Sequence, residues 1–376
     1  MSARAAPREA PTNRNGWPVA RNVLCVRLDN MGDVLMSTPA MRALKRQAPG
    51  RRLTLLASPS GALLAPHLAD VDDVLVHEAA WVKNEGAGNE AGLALIETLR
   101  DRRFDAAVIF TVYSQSALPA ALLCHLAGIP LVLGHARENP YRLLSTWVPE
   151  TEPQERVRHE VQRQLDLVAS VGARCDDTRL AFATRARDRV RMRAVLRESG
   201  VRQDGWIVAH CGATAASRRY GPGLYTEVFR QLRSAGRPIV LTGSRAERSL
   251  VDDIIAGCGR PEGLFNLAGR LELGGLGCLI EDADLLVSNN SGPVHIAAAV
   301  QTPVVDLYAL TNPQHTPWQV PHRLLYHDVP CKYCYRSACP LGHNACLQQV
   351  PPAAVSRAAL DLLGANHGGA LNTAAA

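Results

Sequence analysis

A chain of 376 residues has room for two α/β domains, and 47% hydrophobic against 20% charged residues excludes a disordered polymer. Aromatic residues at 5% argue against a stacking platform for single-stranded nucleic acid. A net charge of +6 is too small an excess to argue for DNA, though it suits an anionic small molecule.

No apolar run has the length of a membrane span, and residues 1–18 lack a signal peptide's hydrophobic region. The expectation is a cytoplasmic protein with a disordered leader over 1–20. From Asn22 the chain alternates apolar runs with helical stretches. Asn22 to Leu28 reads as a strand, the run to about Gln47 as a helix troubled by Pro39, and Arg52 to Ala57 as a second strand. The functional edge of such a βαβ unit is the loop after its first strand. In that loop Gly32 allows close backbone approach. Asp33 falls at the helix N-terminus, equally suited to capping the helix and to facing a ligand; Asp29 is a weaker candidate.

Strands over 74–77, 105–110 and 129–133 and helices over 91–99 and 114–127 continue the pattern. Residues 81–89 read as a polar, glycine-containing loop. Residues 135–160 hold several Arg and His with Pro140, Pro149 and Pro153. They read as an irregular segment, either a solvated loop or a place where an anionic acceptor is gripped. A helix over 159–171 closes a first domain spanning 21–175.

The second domain, 176–364, restarts the pattern with a charged helix over 186–199 and a strand over 206–210. The following loop, 211–220, combines small residues with Thr214, Ser217 and Arg218. Small residues let backbone N–H groups approach a diphosphate and Arg218 supplies charge, although an exposed basic loop has the same composition. After a helix over 224–234 and a strand over 238–242 comes the turn Gly243 to Glu247. Glu247 suits a ribose hydroxyl or the helix dipole. Asp284 to Ser288 is the next strand, and Asn289, Asn290, Ser291 and Gly292 form a polar turn before a short helix carrying Pro293 and His295. That helix start suits a phosphate, or Ser291 merely caps it while His295 packs. Three phosphate-friendly turns at strand ends in one domain weigh more than any one alone.

In order along the chain stand Val-Arg-Leu-Asp-Asn-Met-Gly-Asp-Val-Leu (26–35), Gly-Ala-Thr with Ser-Arg-Arg-Tyr (212–220), Thr-Gly-Ser-Arg-Ala-Glu (242–247), Leu-Ala-Gly-Arg (267–270) and Ser-Asn-Asn-Ser-Gly-Pro-Val-His-Ile-Ala-Ala-Ala (288–299). This ordered set resembles glycosyltransferase family 9, the ADP-heptose:lipopolysaccharide heptosyltransferase family, over roughly residues 22–363. The resemblance implies a GT-B fold, α/β, with two Rossmann-like doubly wound domains facing a central cleft. It implies inverting, metal-independent transfer of a sugar from a nucleotide-sugar donor, ADP-heptose, to a lipopolysaccharide-core or related glycan acceptor. It requires no cofactor and no nucleic acid, and the acceptor places the protein near the inner face of the inner membrane.

Residue by residue, the resemblance makes Asp33 the general base. It assigns the donor to Gly32, Thr214, Ser217, Arg218, Glu247, Asn290, Ser291, Gly292 and His295. Many members have Asp where this chain has Asn290. Three other readings compete. One is a nucleotide-sugar epimerase of GT-B type. Another is a Rossmann oxidoreductase, opposed by the missing Gly-x-Gly-x-x-Gly run. The third is a non-catalytic nucleotide- or metal-binding module.

Late in the chain Cys331-x2-Cys334-x4-Cys339-x6-Cys346, with His343 inside it, has spacing compatible with a structural zinc, reduced packed thiols or a redox pair. Residues 365–376 read as a disordered tail.

Overall fold

The computed structural model describes residues 16–82, 89–233, 236–259 and 262–368. The chain divides into two compact units, Met1–Thr178 and Arg179–Ala376. Among the described residues no helix is long and apolar enough to cross a membrane.

The first unit is built on six strands: β1 Asn22–Arg27, β2 Arg52–Ala57, β3 Asp73–Val76, β4 Ala106–Ile109, β5 Leu131–Ala136 and β6 Thr146–Pro149. All pair in parallel, in the order β3-β2-β1-β4-β5-β6. The inner strands are buried on both faces by helices, which is why their sequences are continuous apolar runs. Leu24, Val26, Leu56, Ala107, Ile109 and Val132 form the core.

The second unit contains β7 Ile207–His210, β8 Ile239–Thr242, β9 Leu264–Asn266, β10 Leu285–Asn289, β11 Val304–Leu307 and β12 His322–Leu325. Its parallel order, β12-β11-β10-β7-β8-β9, repeats the first sheet's order when counted from its own first strand. Helices Pro222–Leu232 and Pro352–Gly368 place Val228, Phe229, Val355 and Ala359 on its core. Both sheets are doubly wound, as the family resemblance implies.

Three strands escape the sequence reading: β6, β9 and β12. Each is a sheet edge. These three are three or four residues long and pair on one side only, and unlike the edge strand β3 none of them carries a run of β-branched apolar residues that marks it. The presence of β6 corrects the reading of 135–160 as irregular. Two of its arginines are also engaged within the unit. Arg137 Nη2 donates to the Tyr113 and Glu152 carbonyls, both at 2.7 Å. Arg158 pairs with Glu152 and Asp166, and on the helix that follows the segment Arg163 Nη2 pairs with Glu150 at 2.6 Å.

Pro39 is tolerated inside the helix Met31–Gln47. Proline offers no N–H to the Leu35 carbonyl, and Thr38 Oγ1 donates to that carbonyl instead, at 2.6 Å.

The expected leader over 1–20 is too long. Residues 1–15 lie outside the described ones, but Trp17 is fully buried and its Nε1 donates to Thr146 Oγ1 at 3.1 Å. Arg51 Nε donates to the Ala20 carbonyl at 2.9 Å. The expected tail also starts too early, because the last helix runs to Gly368; the remainder lies outside the described residues, as do positions 83–88 of the expected loop over 81–89.

Candidate active site

In a doubly wound sheet, ligands sit beyond the carboxyl ends of the strands where strand order reverses. That point lies between β1 and β4 in the first unit and between β7 and β10 in the second.

In the first unit β1 ends in Arg27, which is fully buried. A buried guanidinium requires partners. Arg27 pairs with Asp29 at 3.0 Å, Asp33 at 3.2 Å and Glu160 at 2.7 Å. Burial alone would make the guanidinium give up its proton more readily; the carboxylates, Glu160 foremost, reverse this and raise its pKa. Asp33 is the third residue of the helix Met31–Gln47, and the backbone N–H of Asn30 donates to its Oδ2 at 3.1 Å. It therefore closes a capping box and also stands at the switch-point edge, with its carboxylate oriented from two sides. Asp29 has a different environment. Burial pushes its carboxyl up to about 6, against the attraction of Arg27 and with further upward pressure from Asp33. Gly32, partly exposed beside Asp33, belongs to this unit, whereas the other expected donor residues belong to the second.

In the second unit Asn289, at the end of β10, is fully buried. Its Nδ2 donates to the carbonyls of Cys211 at 2.6 Å and Gly212 at 3.3 Å. Its Oδ1 accepts from Tyr220 N at 3.1 Å and Tyr225 Oη at 3.0 Å. One amide thus ties the β7 loop to the β10 turn. The β8 turn joins them through Glu247, whose Oε1 lies 1.8 Å from where a side chain on Gly212 would begin. Ser244 N donates to Glu247 Oε2 at 2.7 Å, holding that carboxylate in a capping box. Only glycine at 212 admits this approach.

Within the β7 loop the residues separate. Thr214 is exposed and Ser217 buried, its Oγ donating to the Arg336 carbonyl at 2.8 Å. Arg219 Nε donates back to the Ala213 carbonyl at 2.7 Å, bracing the loop. Arg218 is partly exposed and near enough to Asp306 for the two charges to interact.

At the β10 turn, Ser291 is the helix N-cap but its side chain does not cap; the hydroxyl donates to the Asn289 carbonyl at 3.1 Å. Gly292 opens the helix and His295 is buried in its first turns. Asn290 Nδ2 donates to Asp306 Oδ2 at 3.0 Å and to the His315 carbonyl at 3.0 Å. An aspartate at 290 would set two buried carboxylates against each other, so Asn290 and Asp306 form a compatible pair.

Burial raises the Asp306 carboxyl to about 8, offset in part by Asn290 and Arg218. Between about pH 4 and 8 the folded chain holds this proton and the unfolded chain does not. Stability therefore falls as pH rises through that window, by at most about 1.4 kcal/mol per pH unit from this group. Asp306→Asn is expected to flatten the fall, read as the urea midpoint of both proteins at pH 5 and pH 8.

The glycosyltransferase family 9 (heptosyltransferase) family model matches residues 93–345. The chain belongs to this family. Lipopolysaccharide heptosyltransferase 3 of Escherichia coli strain K12 is 28% identical over 296 residues, covering 77% of this chain and 82% of the relative. Among solved structures, the family 9 glycosyl transferase of Veillonella parvula superposes with a TM-score of 0.73 at 18% identity, covering 92% of this chain and 97% of the other. E. coli ADP-heptose lps heptosyltransferase II gives 0.72 at 22% identity, covering 92% and 99%.

The fold is of GT-B type, and the chain is a glycosyltransferase. The oxidoreductase, epimerase and non-catalytic readings are set aside by the family match.

Family membership leaves the cysteine-rich segment to be placed. Cys331, Cys334, Cys339 and Cys346 are free, half-buried thiols lining one small cavity of about 20 Å³ with His343 and Ser217. Among the described residues no three His, Cys, Asp or Glu side chains are arranged to hold a metal ion. The segment braces the β7 loop. It receives the Ser217 hydrogen bond to Arg336, Ser217 N donates to the Ser337 carbonyl at 3.0 Å, and Gln348 Nε2 donates to the Arg219 carbonyl at 2.9 Å.

Sequence reasoning missed Arg27, Glu160, Asn289 and Asp306 as organising residues. The available signal was a charged or polar residue inside an apolar strand: Arg27 after Val-Leu-Cys-Val, Asn289 after Leu-Leu-Val-Ser, and Asp306 within Val-Val-Asp-Leu.

Proposed function

We propose that the chain transfers a heptosyl residue from ADP-heptose to a lipopolysaccharide-core or related glycan, with inversion and without a catalytic metal. The observation that carries this reading is the meeting of the β7, β8 and β10 turns around Asn289 and Gly212, with Arg218 on the same loop. A helix start at Gly292, small-residue backbone and a guanidinium together suit a nucleotide diphosphate. The names of its relatives, an ADP-heptose heptosyltransferase and a lipopolysaccharide heptosyltransferase, support the donor and acceptor class.

In the reaction, the acceptor hydroxyl attacks the anomeric carbon as Asp33 takes its proton. The bond from that carbon to the diphosphate oxygen breaks, and the electron pair leaves with ADP. Arg218 and the Gly292 helix terminus stabilise the departing charge, the task a metal performs elsewhere. Glu247 orients the nucleoside side, with Thr214, Asn290, Ser291 and His295 shaping the turns and Ser217 holding the loop. The acceptor is lipid-linked and the chain works at the cytoplasmic face of the inner membrane.

Arg218→Met is expected to raise the KM for ADP-heptose by about 10- to 100-fold, the worth of one charge-assisted hydrogen bond, and to leave the acceptor KM within about twofold. Steady-state kinetics and calorimetric titration with ADP check this. An unchanged ADP affinity contradicts the placement of the diphosphate.

A further inference from the structure

As a base, Asp33 works against its nearest cation. Its Oδ1 accepts from Arg27 Nη2 at 3.2 Å. A carboxylate beside a guanidinium holds its negative charge more firmly and takes up a proton less readily. A general base needs the opposite. Whatever else surrounds Arg27 therefore sets how basic Asp33 is.

The guanidinium is shared edge by edge. Nη2 serves Asp33, Nε faces Asp29 Oδ2 at 3.0 Å, and Nη1 donates to Glu160 Oε1 at 2.7 Å. Glu160 opens the helix Glu160–Ala169, which packs on the helix Met31–Gln47 that carries Asp33. Glu160 is fully buried. One turn on, Gln164 Nε2 donates to the same Glu160 oxygen at 2.7 Å and to the Thr111 carbonyl, just beyond β4, at 3.0 Å. The carboxylate is thus held from two sides and holds Arg27 in turn. At the start of its helix Glu160 also answers the helix dipole, but that role requires neither full burial nor contact with β1.

The neighbouring charges are committed elsewhere. Arg163 pairs with Glu150 and donates through Nε to the Thr111 carbonyl. Arg42, the next charged residue along Asp33's own helix, pairs with Asp70 and Asp177. Asp29 receives Gln115 Nε2, and burial pushes its carboxyl up to about 6, so its offset to Arg27 thins as pH falls toward that value.

We propose that Glu160 is a positioning residue for glycosyl transfer. Through Arg27 it aims the Asp33 carboxylate, and its own charge offsets the guanidinium so that Asp33 stays able to take the acceptor's proton. The proposal rests on the reading of Asp33 as the base.

Glu160→Gln keeps the size and the accepting oxygen but removes the charge. With one anion fewer nearby, the Asp33 carboxylate is more stable. The acid limb of the kcat/KM profile is then expected to move to lower pH by about 1, and kcat on the plateau to fall as the base weakens. The donor KM should stay within about twofold. Glu160→Asp, which keeps the charge, should leave the limb in place. A Glu160 that only braces the fold would lower stability without moving the limb, and that result overturns the proposal. The double variant Arg27→Met/Glu160→Met covers the case in which Glu160→Gln does not fold. Replacing both members of a buried ion pair by apolar side chains usually preserves the fold, yet kcat is expected to fall by about tenfold or more as Asp33 loses its holder. An unchanged kcat in the folded double variant overturns the proposal. Carbon-13 NMR titration of the Asp33 carboxyl, which needs no turnover, is expected to give a lower midpoint in Glu160→Gln; an unmoved midpoint overturns the proposal as well. A lowered midpoint together with full activity of Asp33→Asn would instead sink the base reading and leave the coupling of Glu160 to Asp33 standing.

Discussion

Asp33→Asn is expected to lower kcat by about 10²- to 10⁴-fold, the usual contribution of a positioned general base. The substitution keeps the size of the side chain, and its carbonyl oxygen still accepts from Asn30 N, so the helix start survives. The amide cannot accept the acceptor's proton. The donor KM should change by less than about threefold, because Asp33 does not belong to the unit that carries the diphosphate turns. Steady-state kinetics with each substrate varied in turn checks both numbers. A kcat within tenfold of wild type would remove Asp33 from the chemistry and move attention to Asp29, whose carboxyl burial pushes up to about 6.

The second large effect concerns stability. Arg27→Met is expected to destabilise the first unit by about 3–5 kcal/mol, the cost of leaving buried charge uncompensated. Methionine fills most of the volume, so the loss comes from electrostatics more than from a cavity. Glu160 is fully buried, and without Arg27 it loses an ion pair at 2.7 Å. Asp29 and Asp33 lose theirs as well. Urea denaturation at constant m-value reads the change. A loss below about 1 kcal/mol would mean that the three carboxylates tolerate one another, contrary to the usual penalty for unpaired buried charge.

The legible parts of this chain were those where local chemistry and tertiary role agree. Arg52 to Ala57 is apolar because it is buried on both faces, and the strand falls on the residues that the run marks. The turns at 211–220, 243–247 and 289–292 announce themselves through Gly, Ser and Asn, and the structure brings them to one end of one sheet. What was hidden depends on partners far along the chain. Arg27 acquires its meaning from Glu160, 133 residues away. Asn290 looks like a lost carboxylate until Asp306 is seen beneath it, 16 residues on. Arg137 and Arg158 look like an anion grip by composition, but their donors are turned toward carbonyls and carboxylates of their own unit. Edge strands such as His322–Leu325 carry so little one-sided burial that no period marks them. Trp17 shows the opposite failure, since polar neighbours obscured a fully buried ring.

Transfer from ADP-heptose to a truncated lipopolysaccharide core, in the presence of chelator, tests the central claim most directly. Mass spectrometry of the glycan and NMR of the new anomeric centre would be read together. The predicted result is addition of one heptosyl residue with inverted configuration, at a rate the chelator does not change. Tight ADP binding without any transfer, or transfer abolished by chelator and restored by a divalent metal, would contradict it.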